Sequence, residues 1–293
     1  MSMLRSHVTS GEIVVAPGCY DALSALLIER AGFAAAYLSG AALAYTRFGR
    51  PDIGLISMSE VVDTVAVIAE RTSIPLIVDA DTGFGNALNV QRVVRLISRH
   101  GAQAIQLEDQ TLPKRCGHLA DKALVPCGEM VGKIKAALDA RAGPDCMIIA
   151  RTDAIAVEGL ERALERAEAY FDAGADILFV EAPRSDTELQ EITSRFRGRV
   201  PLLANMVEGG KTPIKDASQL QALGFSIAIF PGGTVRALAH TLGRYFEALK
   251  LHGTTAPWRE SMYDLQTIND LVQTPQMLML GKRYAAPNAE QSG

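Results

Sequence analysis

Short apolar runs punctuate this chain, and between most of them the spacing of apolar residues changes period. Eight such runs fall at 13–16, 36–38, 76–78, 104–107, 147–150, 177–180, 202–204 and 227–230. Each is short and rich in Ile, Leu, Val or Ala, which predicts a buried strand. Between strands, residues 60–71 place Val61, Val62, Val65, Ile68 and Ala69 on one helical stripe. Residues 159–173 repeat the stripe with Leu160, Ala163, Leu164, Ala167, Tyr170 and Phe171. Ser57 with Glu60, and Ser185 with Glu188, have the capping-box spacing of a helix start. Gly32, Gly101, Gly174 and Gly224 each stand just past a predicted helix and just before a strand. Glycine takes the left-handed cap conformation without steric cost.

Repeated strand–helix–Gly–strand units imply parallel strands with right-handed crossovers. Eight of them predict an α/β fold, a closed (β/α)8 barrel, as one domain over 1–293. A doubly wound open sheet calls for a Gly-rich nucleotide turn after its first strand. Here the first strand leads instead into Pro17-Gly18-Cys19-Tyr20-Asp21. Helical segments from about 235 to 285 exceed what one barrel helix needs, and such extensions often pack on a partner subunit. The polar tail 286–293 is expected to be disordered.

Composition narrows the class. The chain has 293 residues, 48% of them hydrophobic, enough for a large single core. Its net charge is -4 and it has no long basic run, which argues against nucleic acid. The longest uncharged stretch, 32–46, is too short and too interrupted for a membrane span. The N-terminus lacks a charged-then-apolar signal pattern, so a cytoplasmic setting is expected. The four cysteines show neither a disulfide framework nor zinc spacing.

Candidate chemistry gathers where strands end, which is where barrels carry function. The run ending in Asp79 and Asp81 puts two carboxylates two residues apart, on one side of a strand. Such a pair suits Mg²⁺ or Mn²⁺, or else caps the next helix and bonds loop amides. Glu108 ends the next strand and adds weight to a metal. Asp52 either joins them through its loop or is an ordinary turn residue. Arg151 either forks onto a substrate carboxylate or forms an internal salt bridge with Asp153 or Glu181. Glu181 and Asn205 either orient a substrate group or belong to the rim. Cys116 sits between Lys114, Arg115 and His118, company that lowers a thiol pKa and makes it a usable proton donor or acceptor. The alternative is a basic surface loop with an incidental cysteine. Cys19, Cys127 and Cys146 lack basic company and read as structural.

These residues together resemble the isocitrate lyase/phosphoenolpyruvate mutase superfamily. The motifs are Pro17-Gly18-Cys19-Tyr20-Asp21-Ala22, Tyr37-Leu38-Ser39-Gly40, Pro51-Asp52-Ile53-Gly54, Val78-Asp79-Ala80-Asp81-Thr82-Gly83 and Leu107-Glu108-Asp109-Gln110. Further along come Lys114-Arg115-Cys116-Gly117-His118, Ala150-Arg151-Thr152-Asp153-Ala154 and Ala204-Asn205-Met206-Val207-Glu208-Gly209-Gly210-Lys211-Thr212-Pro213. The resemblance implies a barrel with a swapped last helix, a homotetramer, and Mg²⁺ at Asp79 and Asp81 with Asp52 and Glu108 nearby. It implies that Ser39, Gly40 and Arg151 bind a 2-oxo acid portion, and that Gly117, His118, Glu181, Asn205, Pro231 and Arg236 complete a site for a di- or tricarboxylate.

The Lys-Arg-Cys-Gly-His loop is similar to that of the carbon–carbon lyases acting on isocitrate, 2-methylisocitrate and 2,3-dimethylmalate. The implied reaction is a retro-aldol cleavage, with Cys116 protonating the carbanion, Tyr37 on the hydroxyl side, and Arg151 and Glu108 in the catalytic set. Arg236 looks like the carboxylate-binding Arg of 2-methylisocitrate lyases, yet Ile268 stands where those carry a second Arg. The 208–213 segment is closer to dimethylmalate lyase and carboxyphosphonoenolpyruvate mutase, so a phosphonomutase is the alternative reading. Oxaloacetate-cleaving relatives tend to carry Ser at the place of Pro231, which makes an oxaloacetate hydrolase or decarboxylase the third.

Overall fold

The computed structural model describes residues 1–117, 119 and 121–285. The tail 286–293 and His118 lie outside the described residues. Eight parallel strands form the centre: β1 (Val14–Cys19), β2 (Ala36–Leu38), β3 (Leu76–Asp79), β4 (Ala104–Glu108), β5 (Met147–Thr152), β6 (Ile177–Val180), β7 (Leu203–Asn205) and β8 (Ile227–Phe230). Their order is β6-β5-β4-β3-β2-β1-β8-β7, and β1 pairs with both β2 and β8. A parallel bridge between Leu178 and Leu202 joins β6 to the residue before β7. The sheet thus closes on itself, as a (β/α)8 barrel requires.

Around it run α1 (Met3–Val8), α2 (Ala22–Arg30), α3 (Gly40–Leu43), α4 (Met58–Arg71), α5 (Ala87–Arg99), α6 (Cys127–Ala140), α7 (Leu160–Asp172), α8 (Asp186–Phe196) and α9 (Ala217–Leu223). Strands buried on both faces explain the near-continuous apolar runs. One face packs on the helices through residues such as Val78, Ile105, Ile148 and Leu178. The other fills the barrel with Val14, Ile77, Ile149, Phe179 and Ile227. Helix α1 plugs the floor: Leu4 and Val8 join the interior cluster, and the Leu4 amide donates to Gln103 Oε1 at 2.9 Å.

Helix ends follow the expected chemistry. Ser57 caps α4 in a reciprocal capping box with Glu60. Ser185 caps α8, but Glu188 accepts from the Arg184 amide rather than from the cap residue. Gly32, Gly101, Gly174 and Gly224 adopt φ of 82°, 104°, 101° and 112°.

Strand lengths differ from the apolar runs in one consistent way. Four strands continue past the last apolar residue into polar ones, so Asp79, Glu108, Arg151 and Asn205 are strand residues. The backbone ladder persists beneath them, pairing Asp79 with Gln106, Glu108 with Arg151 and Asn205 with Ile229. Polar side chains are tolerated there because they satisfy one another inside the barrel mouth.

The chain forms two compact units, Met1–Arg236 and the part from Ala237 onward. The second comprises most of α10 (Gly233–His252), then α11 (Leu265–Leu271) and α12 (Thr274–Tyr284), with the Tyr245 and Trp258 rings 6.0 Å apart edge to face. Among the described residues no helix is long and apolar enough to cross a membrane.

Candidate active site

One cavity of about 90 Å³ opens at the C-terminal ends of the strands. Its wall contains Tyr37, Ser39, Asp52, Asp79, Cys116, Gly117, Arg151, Glu181, Asn205, Pro231 and Arg236. Residues scattered from position 37 to position 236 are therefore gathered around one small volume. Gly40, Asp81 and Glu108 do not line it. They back the wall through Asp79, Lys114 and Arg151 respectively. A larger, shallower groove of about 380 Å³ beside Tyr20, Arg47 and Val67 holds none of these residues.

The first half of the site is acidic and gathers around Lys114. Its Nζ lies 2.5 Å from Asp52 Oδ1 and 2.7 Å from Asp81 Oδ1, with all three side chains almost fully buried. Burial works against this ammonium, but Asp81, Asp52, Glu108 and Asp79 together raise its pKa well above the usual lysine value. Burial also pushes the Asp81 carboxyl up to about 6, against the pull of Lys114. From sequence Lys114 is expected as a cation beside Cys116, but its charge is spent on the carboxylates. Asp79 is held differently. Its Oδ1 accepts from Gln106 Nε2 at 3.1 Å and from the Asp81 amide at 3.1 Å.

The acid set suits a hard divalent cation, which takes carboxylate oxygens and keeps waters. Position 40 supports the fit, because a Cβ on Gly40 would lie 3.4 Å from Asp79 Oδ2 and 3.5 Å from Asp81 Oδ1. The missing side chain leaves open space in front of both carboxylates. Asp81 Oδ1 and Glu108 Oε1 are buried with no aligned hydrogen bond. Among the described residues, however, no three acidic, His or Cys side chains converge at ligand distance. Lys114 supplies the positive charge at Asp52 and Asp81 in this arrangement.

The second half is built on Arg151, almost fully buried near the end of β5. Its guanidinium forks onto Asp153, Nε to Oδ2 at 2.9 Å and Nη2 to Oδ1 at 3.0 Å. Glu108 Oε2 lies 3.3 Å from Nε and Glu181 Oε1 lies 4.0 Å from Nη2. The internal salt bridge envisaged from sequence is thus present, and Arg151 also reaches the cavity wall. Asp153 is shared with Lys122, whose Nζ lies 2.7 Å from Oδ1. Burial alone would raise the Asp153 pKa, but Arg151 and Lys122 bring it down to about 2. Burial dominates at Glu108 and holds its pKa well above the usual carboxylate value despite Arg151.

The remaining residues fall into place around these halves. Ser39 caps α3, its Oγ accepting from the Ala42 amide at 3.2 Å. Tyr37 donates to Gln106 Oε1 at 2.8 Å, which links it to Asp79, and burial first and Asp79 second raise its pKa far above 10. Asn205 Nδ2 donates to both oxygens of Glu181, at 3.2 and 3.3 Å. Arg236 forms an ion pair with Glu208 and donates to the Glu208 carbonyl at 3.1 Å. Cys116 is half-buried, and all four cysteines are thiols. Burial pushes Cys19 and Cys146 up to about 12, as structural thiols should be. Gln106 and Lys122 had no assigned role from sequence. Gln106 was visible as a polar residue inside the apolar run 104–107, facing the same side as Glu108. Lys122 gave no such signal.

Buried carboxylates, an arginine reaching a cavity wall and a thiol on the same wall make up the candidate site. Comparison with known proteins sharpens the class. The family model for phosphoenolpyruvate phosphomutase matches residues 4–250. The 2,3-dimethylmalate lyase of Eubacterium barkeri is 43% identical over 282 residues, 96% of this chain and 97% of that protein. The 2-methylisocitrate lyase of Aeropyrum pernix is 47% identical over 270 residues, 92% of this chain and 86% of that protein. A crystal structure of 2,3-dimethylmalate lyase superposes with a TM-score of 0.90 at 34% identity, covering 98% of this chain and 95% of that one. The protein belongs to the phosphoenolpyruvate phosphomutase family, within the isocitrate lyase/phosphoenolpyruvate mutase superfamily. Like its lyase relatives, it is an enzyme of carbon–carbon bond cleavage.

Proposed function

We propose that the protein cleaves a malate-type 2-hydroxy dicarboxylate, of the 2,3-dimethylmalate or 2-methylisocitrate kind, into a 2-oxo acid and a carboxylate. The observation that carries this reading is the single cavity that Cys116 shares with two guanidiniums, Arg151 and Arg236, and with Asp79. A dicarboxylate has two anionic ends to anchor, and a carbanion released between them needs a proton donor at hand.

The steps assign themselves to residues. Arg151 and Ser39 bind the end that becomes the 2-oxo acid, and Arg236 the other carboxylate. The 2-hydroxyl proton passes to a carboxylate of the cavity wall, and Glu108, with a buried oxygen that accepts no aligned hydrogen bond, backs that wall through Arg151. Tyr37 stays protonated and serves as a donor that orients Gln106 and Asp79. As the C2–C3 bond breaks, its electron pair passes to C3 and the hydroxyl becomes the oxo group. The Cys116 thiol then returns a proton to C3. Asp79 and Asp81, with Asp52 and Glu108 behind them, would hold Mg²⁺ or Mn²⁺, which supplies electrostatic stabilisation of the oxo-acid oxygens. A phosphonomutase is the second reading, favoured by the family model that matches 4–250. The apolar residues Phe246, Leu251, Leu278 and Met279, exposed on the second unit, support assembly into a homotetramer.

The test incubates purified protein and Mg²⁺ with 2,3-dimethylmalate, 2-methylisocitrate, isocitrate, 2-methylmalate and oxaloacetate. Release of pyruvate or glyoxylate from a hydroxy acid, lost with EDTA and lowered about 10³-fold or more by Cys116→Ser, is expected. Silence across the panel, with turnover of a phosphonate instead, would overturn the lyase reading in favour of the mutase.

A further inference from the structure

Lys122 lies outside the cavity wall, yet it touches both elements on which the proposed chemistry depends. Its side chain is 1% exposed and its partner Asp153 is 0% exposed. One ammonium makes two contacts: to Asp153 Oδ1 at 2.7 Å and to the Gly117 carbonyl at 2.5 Å. Asp153 is the carboxylate that forks onto Arg151. Gly117 is the residue after Cys116, and its Cα sits tightly against the same cluster. A Cβ there would lie 2.3 Å from Glu181 Oε1 and 2.5 Å from Arg151 Nη2. The Cys116–Gly117 backbone and the Arg151 fork therefore meet face to face, and a single buried lysine bonds to both.

Charge balance gives the same lysine a second part. Arg151 faces Glu108, Asp153 and Glu181. One guanidinium shared among three carboxylates leaves its surroundings negative, which repels a further carboxylate. Lys122 takes part of the load of Asp153 and leaves Arg151 better able to attract an anion. Burying such a lysine is costly unless its charge is fully used.

We propose that Lys122 is a positioning residue. It holds Asp153, and through it Arg151, in register with the Cys116–Gly117 segment, so that substrate carboxylate and proton donor arrive at one place. This rests on the lyase reading for the roles of Arg151 and Cys116.

The experiment uses the full-length protein, Lys122→Met and Lys122→Arg, with oxalate as a probe dianion in the presence of Mg²⁺. Calorimetry reads oxalate affinity, and iodoacetamide reads the alkylation rate of Cys116. Lys122→Met is expected to weaken oxalate binding and kcat/KM by about 100-fold, the usual effect of a displaced catalytic constellation. Oxalate should no longer slow Cys116 alkylation in that variant, and Lys122→Arg should recover part of both readouts. A merely structural lysine would lower thermal stability and leave oxalate affinity within about threefold of wild type, and that result overturns the inference. If Lys122→Met does not fold, Lys122→Gln, which donates without charge, is read in the same way. Failure of both to fold would make Lys122 a fold determinant and also overturn it. Wild type inactive on every hydroxy acid, with oxalate binding still lost in Lys122→Met, would sink the lyase reading and leave the positioning role standing.

Discussion

The two ends of the same eight strands obey opposite rules. At the floor, α1 seals the barrel with Leu4 and Val8 over Val14, Ile77, Ile149 and Ile227, and Arg5 pairs with Asp176 in a partly buried contact. At the rim, Asp52, Asp79, Asp81, Glu108, Asp153 and Glu181 are buried almost as deeply as the floor leucine. Apolar burial at the floor stabilises the fold by a few kcal/mol per side chain. Carboxylates packed at the rim repel one another, and Lys114, Lys122 and Arg151 offset only part of that cost. The barrel therefore carries its stability at one end and spends some of it at the other, as pre-organised sites do. The rim itself repeats the contrast. Lys114 caps the acids proposed to hold a metal, and Lys122 secures the arginine proposed to hold the substrate.

Two substitutions would break this division if it is wrong. The larger effect is expected at the floor. Leu4→Ala should lower unfolding free energy by about 2–5 kcal/mol in a denaturant titration. KM and kcat below the shifted melting temperature should stay near wild type. A change in KM as large as that of a rim variant would mean that the two ends are coupled and the contrast is false.

The smaller effect concerns acid. Asp153 has its carboxyl lowered to about 2 from an ordinary 3.8, so its ionised form is favoured by folding. That stability is fully present above about pH 4 and is lost as pH falls toward 2. It amounts to about 2 kcal/mol, as an order of magnitude for a buried, shared carboxylate. Asp153→Asn should be the less stable protein at pH 5, and its deficit against wild type should shrink by that amount by pH 2. A deficit that does not change across that interval would show that Arg151 and Lys122 do not hold the ionised form.

Much of this was legible in the chain. The short apolar runs marked all eight strands, the 3.6-period stripes marked helices between them, and the Gly positions after helices marked their connections. What the apolar runs could not give was where strands stop, because Asp79, Glu108, Arg151 and Asn205 continue the ladder beyond the last apolar residue. Spacing placed Asp79, Glu108 and Arg151 at strand ends and Cys116 in a basic loop, and the barrel rule brought the strand ends together. It could not tell that Lys114 turns toward Asp52 and Asp81, nor that Lys122 returns to Asp153. Those pairings join loops to strands far apart in sequence, and local pattern carries no information about them. Arg236 was anticipated, but its pairing with Glu208 was not, for the same reason.

In the proposed reaction the rim breaks a carbon–carbon bond and delivers a proton to the carbon left behind. The most direct measurement is proton NMR of the products formed from 2,3-dimethylmalate and Mg²⁺ in D₂O. Pyruvate together with propionate carrying one deuterium at C2 is expected from wild type and should be nearly absent with Cys116→Ser. Propionate without deuterium, or equal labelled product from Cys116→Ser, would contradict it.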